Sequence, residues 1–164
     1  MKAQFLPRLA GFLSQAGLAR VHPDAPEPTA HAAVEALAGL PHYEQLWAGD
    51  LGDSVQILAV ASGERAPGVE LARRAQLLAE RAANLSAKLG GDVQVLQLAL
   101  YDRPVPPQEL EFVLGKARVV PWWPLARGRV ATWVVSFAVP DVHAIKFRGW
   151  PAELAPDQFR ALLA

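Results

Sequence analysis

Residues 55–100, VQILAVASGERAPGVELARRAQLLAERAANLSAKLGGDVQVLQLAL, decide the fold class of this chain. The apolar run 55–61 has no helical period and predicts a buried strand. Residues 69–89 predict an amphipathic helix, because apolar side chains recur every three or four positions. They are Leu71, Ala75, Leu78, Ala82, Leu85 and Leu89. A second apolar run, 93–100, predicts another strand. Strand, helix and strand with short joints indicate a βαβ unit, most simply parallel and right-handed.

The residues before this unit predict helices and a loop. Apolar spacing favours an amphipathic helix over 2–18. Three prolines within 22–28 predict a proline-rich loop. Thr29 is placed to cap a short second helix. Residues 40–47 are ambiguous, and the sequence GDLGD at 49–53 is typical of a turn.

The residues after the unit add strands and two further helical passages. A helix is predicted over 108–115, and an extended stretch begins at 117–120. Residues 128–137 are rich in β-branched and aromatic side chains and predict a strand. A further edge strand is predicted over 142–147. Pro156 is suited to the first turn of a terminal helix.

Composition restricts the class of protein. The chain has 164 residues, which predicts a single domain over 1–164, and 52% of them are hydrophobic. Cysteine is absent, which excludes disulfides and thiolate metal sites. Lys and Arg number 16, as do Asp and Glu, so a globally basic nucleic-acid binder is not expected. Neither a secretory leader nor a run of about 20 apolar residues is found, and we expect a cytoplasmic protein.

Motifs for catalysis are incomplete in this sequence. It contains no glycine-rich phosphate loop and no serine in a G-x-S-x-G elbow. Ser62 follows a strand, His22 and Asp24 could form part of a cation site, and Asp141 could begin a nuclease motif of the PD-(D/E)xK type. No E-x-K follows Asp141, and turns or solvated loops explain the other residues. We therefore assign no catalytic residue, metal or cofactor, and the sequence leans against an enzyme.

Aromatic and basic residues gather in the last third of the chain. Trp122 and Trp123 stand between two prolines, and basic residues lie around them. We call this set the Trp/Arg segment: Arg118, Trp122, Trp123, Arg127 and Arg129, with Lys146 and Arg148 nearby in sequence. Such a set is typical of a protein-binding hot spot or a membrane surface. The alternative is that the tryptophans fold back as a lid on the sheet.

Residues 70–111 resemble the N-terminal cytosolic domains of rhomboid-family intramembrane proteases from Gram-positive bacteria. The shared pattern is a basic helix starting with Arg73-Arg74-Ala75-Gln76-Leu77, the strand 93–100, and the proline turn 102–106 before another helix. The resemblance implies a degenerate restriction-endonuclease-like α/β fold without catalytic residues. The catalytic residues of that family lie in membrane helices, so none is carried over to this chain.

These observations predict an α/β domain with a βαβ unit in a mixed sheet flanked by helices. Its predicted function is that of a non-catalytic, cytosolic regulatory or partner-binding domain, tethered to a membrane protein such as a rhomboid-type protease. One alternative is a small metal-dependent hydrolase or nuclease with a non-standard site. Another is an oligomerisation module that pairs through the edge at 142–147.

Overall fold

The computed structural model describes residues 1–40, 43–64, 68–115, 118–122 and 126–164, with the backbone alone for 118–122, 126 and 127. The helices are α1 (Lys2–Ala16), α2 (Pro28–Ala36), α3 (Gly68–Leu89), α4 (Pro107–Leu114) and α5 (Pro156–Ala161), with a 3₁₀ turn at Ala152–Leu154. The strands are β1 (Ala19–Arg20), β2 (Gln45–Leu51), β3 (Ser54–Ser62), β4 (Val93–Tyr101), β5 (Arg118–Trp122), β6 (Ala126–Ser136) and β7 (Asp141–His143).

These strands form one mixed sheet, as the sequence predicted. Its order is β1-β2-β3-β4-β6-β5, and β7 also pairs with β6. β3, β4 and β6 run parallel, with Val55 opposite Val93 and Val93 opposite Gly128. The other pairs are antiparallel. The predicted parallel pairing within the βαβ unit is therefore confirmed.

The sheet separates two apolar cores because alternate side chains of a strand point to opposite faces. In β4, Val95 and Ala99 belong to the core that includes α2, α3 and α4. Leu96 and Leu98 belong to the second core, which includes α1 and α5. Strands buried on both faces are apolar throughout, and this explains why the runs in β3 and β4 lack alternation.

Two predictions about the first half of the chain are wrong. Thr29 does not cap α2, because the helix begins at Pro28 and Glu27 occupies the cap position. The Thr29 hydroxyl instead donates to Asp50 Oδ2 at 2.6 Å. The turn at 49–53 is also shorter than predicted, since β2 continues to Leu51 and stays paired with β3. Gly52, with φ of 72°, makes the turn.

The edge strand predicted over 142–147 is also wrong in length. β7 spans Asp141–His143, and residues 144–147 are not strand. The chain leaves the sheet because Phe147 turns into the second core, where its ring stacks on Trp150 at 5.1 Å between centroids. The remaining predicted helices and strands are confirmed to within a few residues of their ends.

Candidate partner-binding surface

The described residues of the Trp/Arg segment lie in two antiparallel strands of the sheet. β5 pairs with the first half of β6, and the register sets Val119 opposite Arg129 and Pro121 opposite Arg127. Arg118 and Trp122 lie in β5 and are described by their backbone alone, as is Arg127, while Trp123 lies outside the described residues. The pairing thus brings Arg118, Arg127 and Arg129 to one end of the sheet at the level of the backbone.

Arg129 is the member of this segment whose side chain the structure describes. It lies between β4 and β5, opposite Gln94 and Val119 respectively. Its side chain is half-buried, and its Nε atom is buried without a hydrogen-bond partner among the described residues. A buried Nε of this kind is unusual, because a buried donor that makes no hydrogen bond costs free energy.

A polar row crosses the sheet beside Arg129. Gln56, Gln94 and Arg129 lie opposite one another on β3, β4 and β6. Gln94 Oε1 lies 3.4 Å from both Gln56 Nε2 and Ser54 Oγ, each of which donates to it. The Gln94 amide nitrogen donates to the Arg148 carbonyl oxygen at 3.3 Å. The row therefore joins the amino-terminal ends of the parallel strands to the segment that carries Arg148.

The segment that carries Arg148 is anchored to the second core by Phe147 and Trp150. Trp150 stacks on Phe147 and meets the Trp133 ring edge-on at 6.2 Å between centroids. Its indole nitrogen donates to the Leu154 carbonyl oxygen at 2.8 Å. Arg148 lies between these anchors, and its side chain is exposed, as is that of Lys146. The loop thus presents two cations from a fixed backbone. We call Arg129, Lys146 and Arg148 the basic end.

Six cations elsewhere in the described chain form ion pairs with carboxylates, whereas Arg20 and Arg81 form none. Ion pairs join Lys2 to Glu44, Arg73 and Arg74 to Glu70, Lys88 to Glu35, Arg103 to Glu64 and Glu109, and Arg160 to Asp141 and Asp157. Within the part of the chain that the structure describes, the three cations of the basic end form no ion pair. Their charge is therefore available to an anion from outside.

At the opposite end of the sheet, beside the carboxyl ends of β3 and β4, charged side chains form ion pairs with one another. Glu64 Oε1 accepts the backbone N–H groups of Asp102 and Arg103 at 3.0 and 3.2 Å. Arg103 also donates to Glu109 at 2.8 Å, and its guanidinium lies over the Tyr101 ring. Burial, together with the negative charge of Glu109, raises the pKa of Tyr101 to about 12. Parallel α/β sheets commonly bind ligands at this end, but here the network ties together two loops and α4.

Ser62 and His22, which were also singled out from the sequence, lie at the end of a strand and in an exposed loop respectively. Ser62 is buried at the end of β3, and a Cβ on Gly63 would lie 2.4 Å from the Tyr101 ring, so glycine is needed there. His22 Nδ1 accepts the Asp24 backbone N–H at 3.1 Å in an exposed loop.

Asp141 accepts hydrogen bonds from a side-chain donor and from a backbone donor. Its Oδ1 accepts from Arg160 Nε at 3.0 Å and from the Val142 N–H at 2.7 Å. The Arg160 guanidinium holds the pKa of this carboxyl below its usual range. Among the described residues, no group of three or more His, Cys, Asp or Glu side chains could hold a metal ion.

Sequence reasoning missed the buried glutamines. Gln97 accepts from the Tyr43 hydroxyl at 2.8 Å and donates to Thr132 Oγ1 and the Leu71 carbonyl oxygen, both at 3.0 Å. Gln94 was missed likewise, although it lies beside Arg129. The available signal was a glutamine repeated inside an apolar strand, because such a residue must find hydrogen-bond partners when it is buried.

No family model, curated protein or solved structure was found to match this chain. In the ranges described by the structure, no helix combines the length and the apolar character needed to cross a bilayer.

Proposed function

We propose that this chain is a non-catalytic partner-binding domain that holds an acidic protein partner at its basic end. The observation that carries the proposal is that Arg129, Lys146 and Arg148 all lack the carboxylate partner that six cations elsewhere in the described chain have, a partner that Arg20 and Arg81 also lack. Unpaired charges on a fixed backbone steer association and select partners of opposite charge.

Two further observations support this reading. Arg118 and Arg127 are placed by the β5–β6 register at the same end of the sheet. At the carboxyl end, the side chains of Glu64, Arg103 and Glu109 are committed to each other, which favours a structural role there.

The domain would act in the cytoplasm as a regulatory module joined to a membrane protein of the rhomboid type. Support comes from the resemblance of residues 70–111 to the N-terminal domains of those proteases. That resemblance requires a helix, a strand, a turn and a second helix in this order, and α3, β4, the turn after β4 and α4 follow one another in that order.

The outer edge of β7 is partly occupied, which weakens the oligomerisation alternative. The Val142 N–H is bound by the Asp141 carboxylate, and the Val142 carbonyl accepts from Arg160 at 2.6 Å. A strand from another copy would have to displace both groups before it could pair there.

The proposal is tested by titrating isotope-labelled protein with poly-L-glutamate and following amide chemical shifts. We expect shifts centred on Gln94, Arg129 and residues 146–150, with affinity that falls as salt is added. The variant Lys146→Gln/Arg148→Gln should bind more weakly, because both side chains are exposed and carry charge without supporting the core.

The matched control is Arg81→Gln, which removes an arginine on α3 that also lacks an ion pair within the described chain. Equal loss of binding in the control and in the double variant would overturn the proposal. Flotation with anionic vesicles distinguishes a membrane surface: flotation that Trp122→Ala/Trp123→Ala abolishes, without poly-L-glutamate binding, would replace the protein partner by a bilayer.

A further inference from the structure

Two strands, β5 and β7, pair with β6 on the side away from β4. The backbone directions in β6 follow from one hydrogen bond, in which the Phe137 N–H donates to the Tyr101 carbonyl oxygen of β4 at 2.9 Å. The odd-numbered residues of β6 therefore direct their backbone groups toward β4. The even-numbered residues direct theirs toward β5 and β7, because the backbone groups of successive strand residues point to opposite sides.

The same alternation fixes which residues of β5 face away from the sheet. Arg118, Val120 and Trp122 lie opposite even-numbered residues of β6, so their backbone groups bond β6. The two residues between them, Val119 and Pro121, direct their backbone groups outward. Pro121 agrees with this assignment, because proline has no N–H and occurs in sheets where no ladder bond is lost.

The outer edges of β5 and β7 differ in what occupies them. At β7, the Val142 N–H is bound by the Asp141 carboxylate, and its carbonyl oxygen accepts from Arg160. At β5, no described residue bonds the N–H or the carbonyl oxygen of Val119. The β5 edge thus offers a partner the Val119 N–H and the carbonyl oxygens of Val119 and Pro121. Unpaired groups along a strand edge are a template for another strand.

The charge of the sequence around β5 indicates which strand fits this edge. Residues 112–140 contain no Asp or Glu, whereas they contain Lys116, Arg118, Arg127 and Arg129. Opposite charges across neighbouring strands are stabilising, and like charges are destabilising. A second copy of β5 would bring the same basic residues to the edge. An acidic strand from a different protein is therefore favoured over self-pairing.

We infer that an acidic, extended segment of the partner protein adds a strand to the sheet at the outer edge of β5. Val119 donates one hydrogen bond to the added strand and accepts one from it, and the Pro121 carbonyl oxygen accepts another. Main-chain hydrogen bonds supply the affinity in this mode of recognition. The inference rests on the proposed function, to which it adds the conformation of the partner and its position on the sheet.

Hydrogen exchange of the Val119 amide tests the inference in the full chain. The probe is a short peptide of alternating valine and glutamate. In the free protein, we expect the Val119 N–H to exchange much faster than the Val120 N–H, which faces β6. When the peptide binds, the Val119 N–H should become protected. A Val119 amide as protected as Val120 in the free chain, or one that stays unprotected in the complex, would overturn the inference.

Two variants at one position isolate the outward N–H. Val119→Pro removes this donor without removing a bond to β6, and Val119→Ala is the matched control that keeps it. We expect the dissociation constant for the peptide to rise about fivefold in Val119→Pro, as for loss of one hydrogen bond, and to stay within about twofold in Val119→Ala. Equal affinity of the two variants would overturn the inference. If Val119→Pro does not fold, a peptide N-methylated at every residue replaces it, and unchanged affinity of that peptide has the same meaning.

The remaining outcomes identify the occupant of the edge. The same peptide with lysine in place of glutamate should bind more weakly, and equal binding would overturn the acidic assignment. Protection of Val119 that rises with protein concentration alone would overturn the inference in favour of a second copy. Binding of poly-L-glutamate at residues 146–150, with neither probe changing Val119, would overturn the inference and leave the proposed function intact. Failure of both poly-L-glutamate and the acidic peptide to bind would overturn the two together.

Discussion

Replacement of Gly128 tests the closest approach of a helix to the sheet. Gly128 lies in β6 beneath α3, and a Cβ there would lie 2.3 Å from the Ala79 carbonyl oxygen and 2.4 Å from the Ala83 nitrogen. Both contacts are helix backbone, so no side-chain rotation can relieve them. Ordinary contact begins at 3.4 Å, and Gly128→Ala would therefore push α3 and β6 apart by roughly 1 Å.

The cost follows from what α3 buries. Leu71, Leu78 and Leu85 are fully buried under the helix, and a gap of this width forfeits a quarter to a half of their dispersion contacts. Overpacking commonly costs about 1–3 kcal/mol, and the rigid neighbours place this substitution at about 3 kcal/mol. For a chain of this length, that corresponds to a fall in the unfolding temperature of roughly 6–12 °C.

The assay is urea and thermal unfolding followed by circular dichroism. Gly11→Ala is the matched control, since Gly11 lies within α1 and a Cβ there meets nothing within 4 Å. Alanine has the higher helix propensity, so this variant should be more stable by about 0.5–1 kcal/mol. A Gly128→Ala protein as stable as wild type would show that α3 does not lie this close to β6.

Three other predictions concern buried and paired groups. Burial raises the pKa of Tyr43, and it raises the pKa of Tyr101 to about 12, so the folded state retains protons that the unfolded state loses above about pH 10. The free energy of unfolding should therefore fall as the pH rises from about 10 to about 12. Tyrosinate absorbance should appear together with unfolding rather than before it. Gln97→Ala and Gln97→Met should each cost about 3 kcal/mol in urea unfolding, because both leave buried partners unsatisfied, and wild-type stability in the methionine variant would refute this reasoning. Arg160→Ala should lower the free energy of unfolding at neutral pH. The difference from wild type should shrink as the pH falls below 3.8, the ordinary pKa of an aspartate, and through the lowered pKa of Asp141. A difference that does not depend on pH would contradict the pairing of Arg160 with Asp141.

The fold was largely predictable because its main signals are local. The apolar stripe of α3 and the runs of β3 and β4 were sufficient for the βαβ unit, since burial of an apolar face depends on spacing within a segment. Errors occurred where a distant contact overrides local preference. Thr29 has the residue type of a cap, yet its hydroxyl bonds Asp50 on another element. The strand propensity at 144–147 is overridden by the burial of Phe147 against Trp150.

The candidate surface was predictable in part. Arg129 was selected because it lies near Trp122 and Trp123 in sequence, whereas its neighbour Gln94 comes from β4 and was not selected. Their proximity is set by strand register, which pairs residues 35 positions apart in sequence without any local sign of it.

The sequence by itself determined that this chain forms a mixed α/β structure around a βαβ unit, since hydrophobic periodicity is encoded residue by residue. Only the tertiary structure decided which cations are neutralised. Arg103 and Arg160 meet carboxylates brought to them by other elements, while Arg129 lies opposite Gln94 in the sheet and forms no ion pair with a described residue. Electrostatic pairing depends on distances of a few ångströms between separate segments, and such distances exist only once the sheet has assembled.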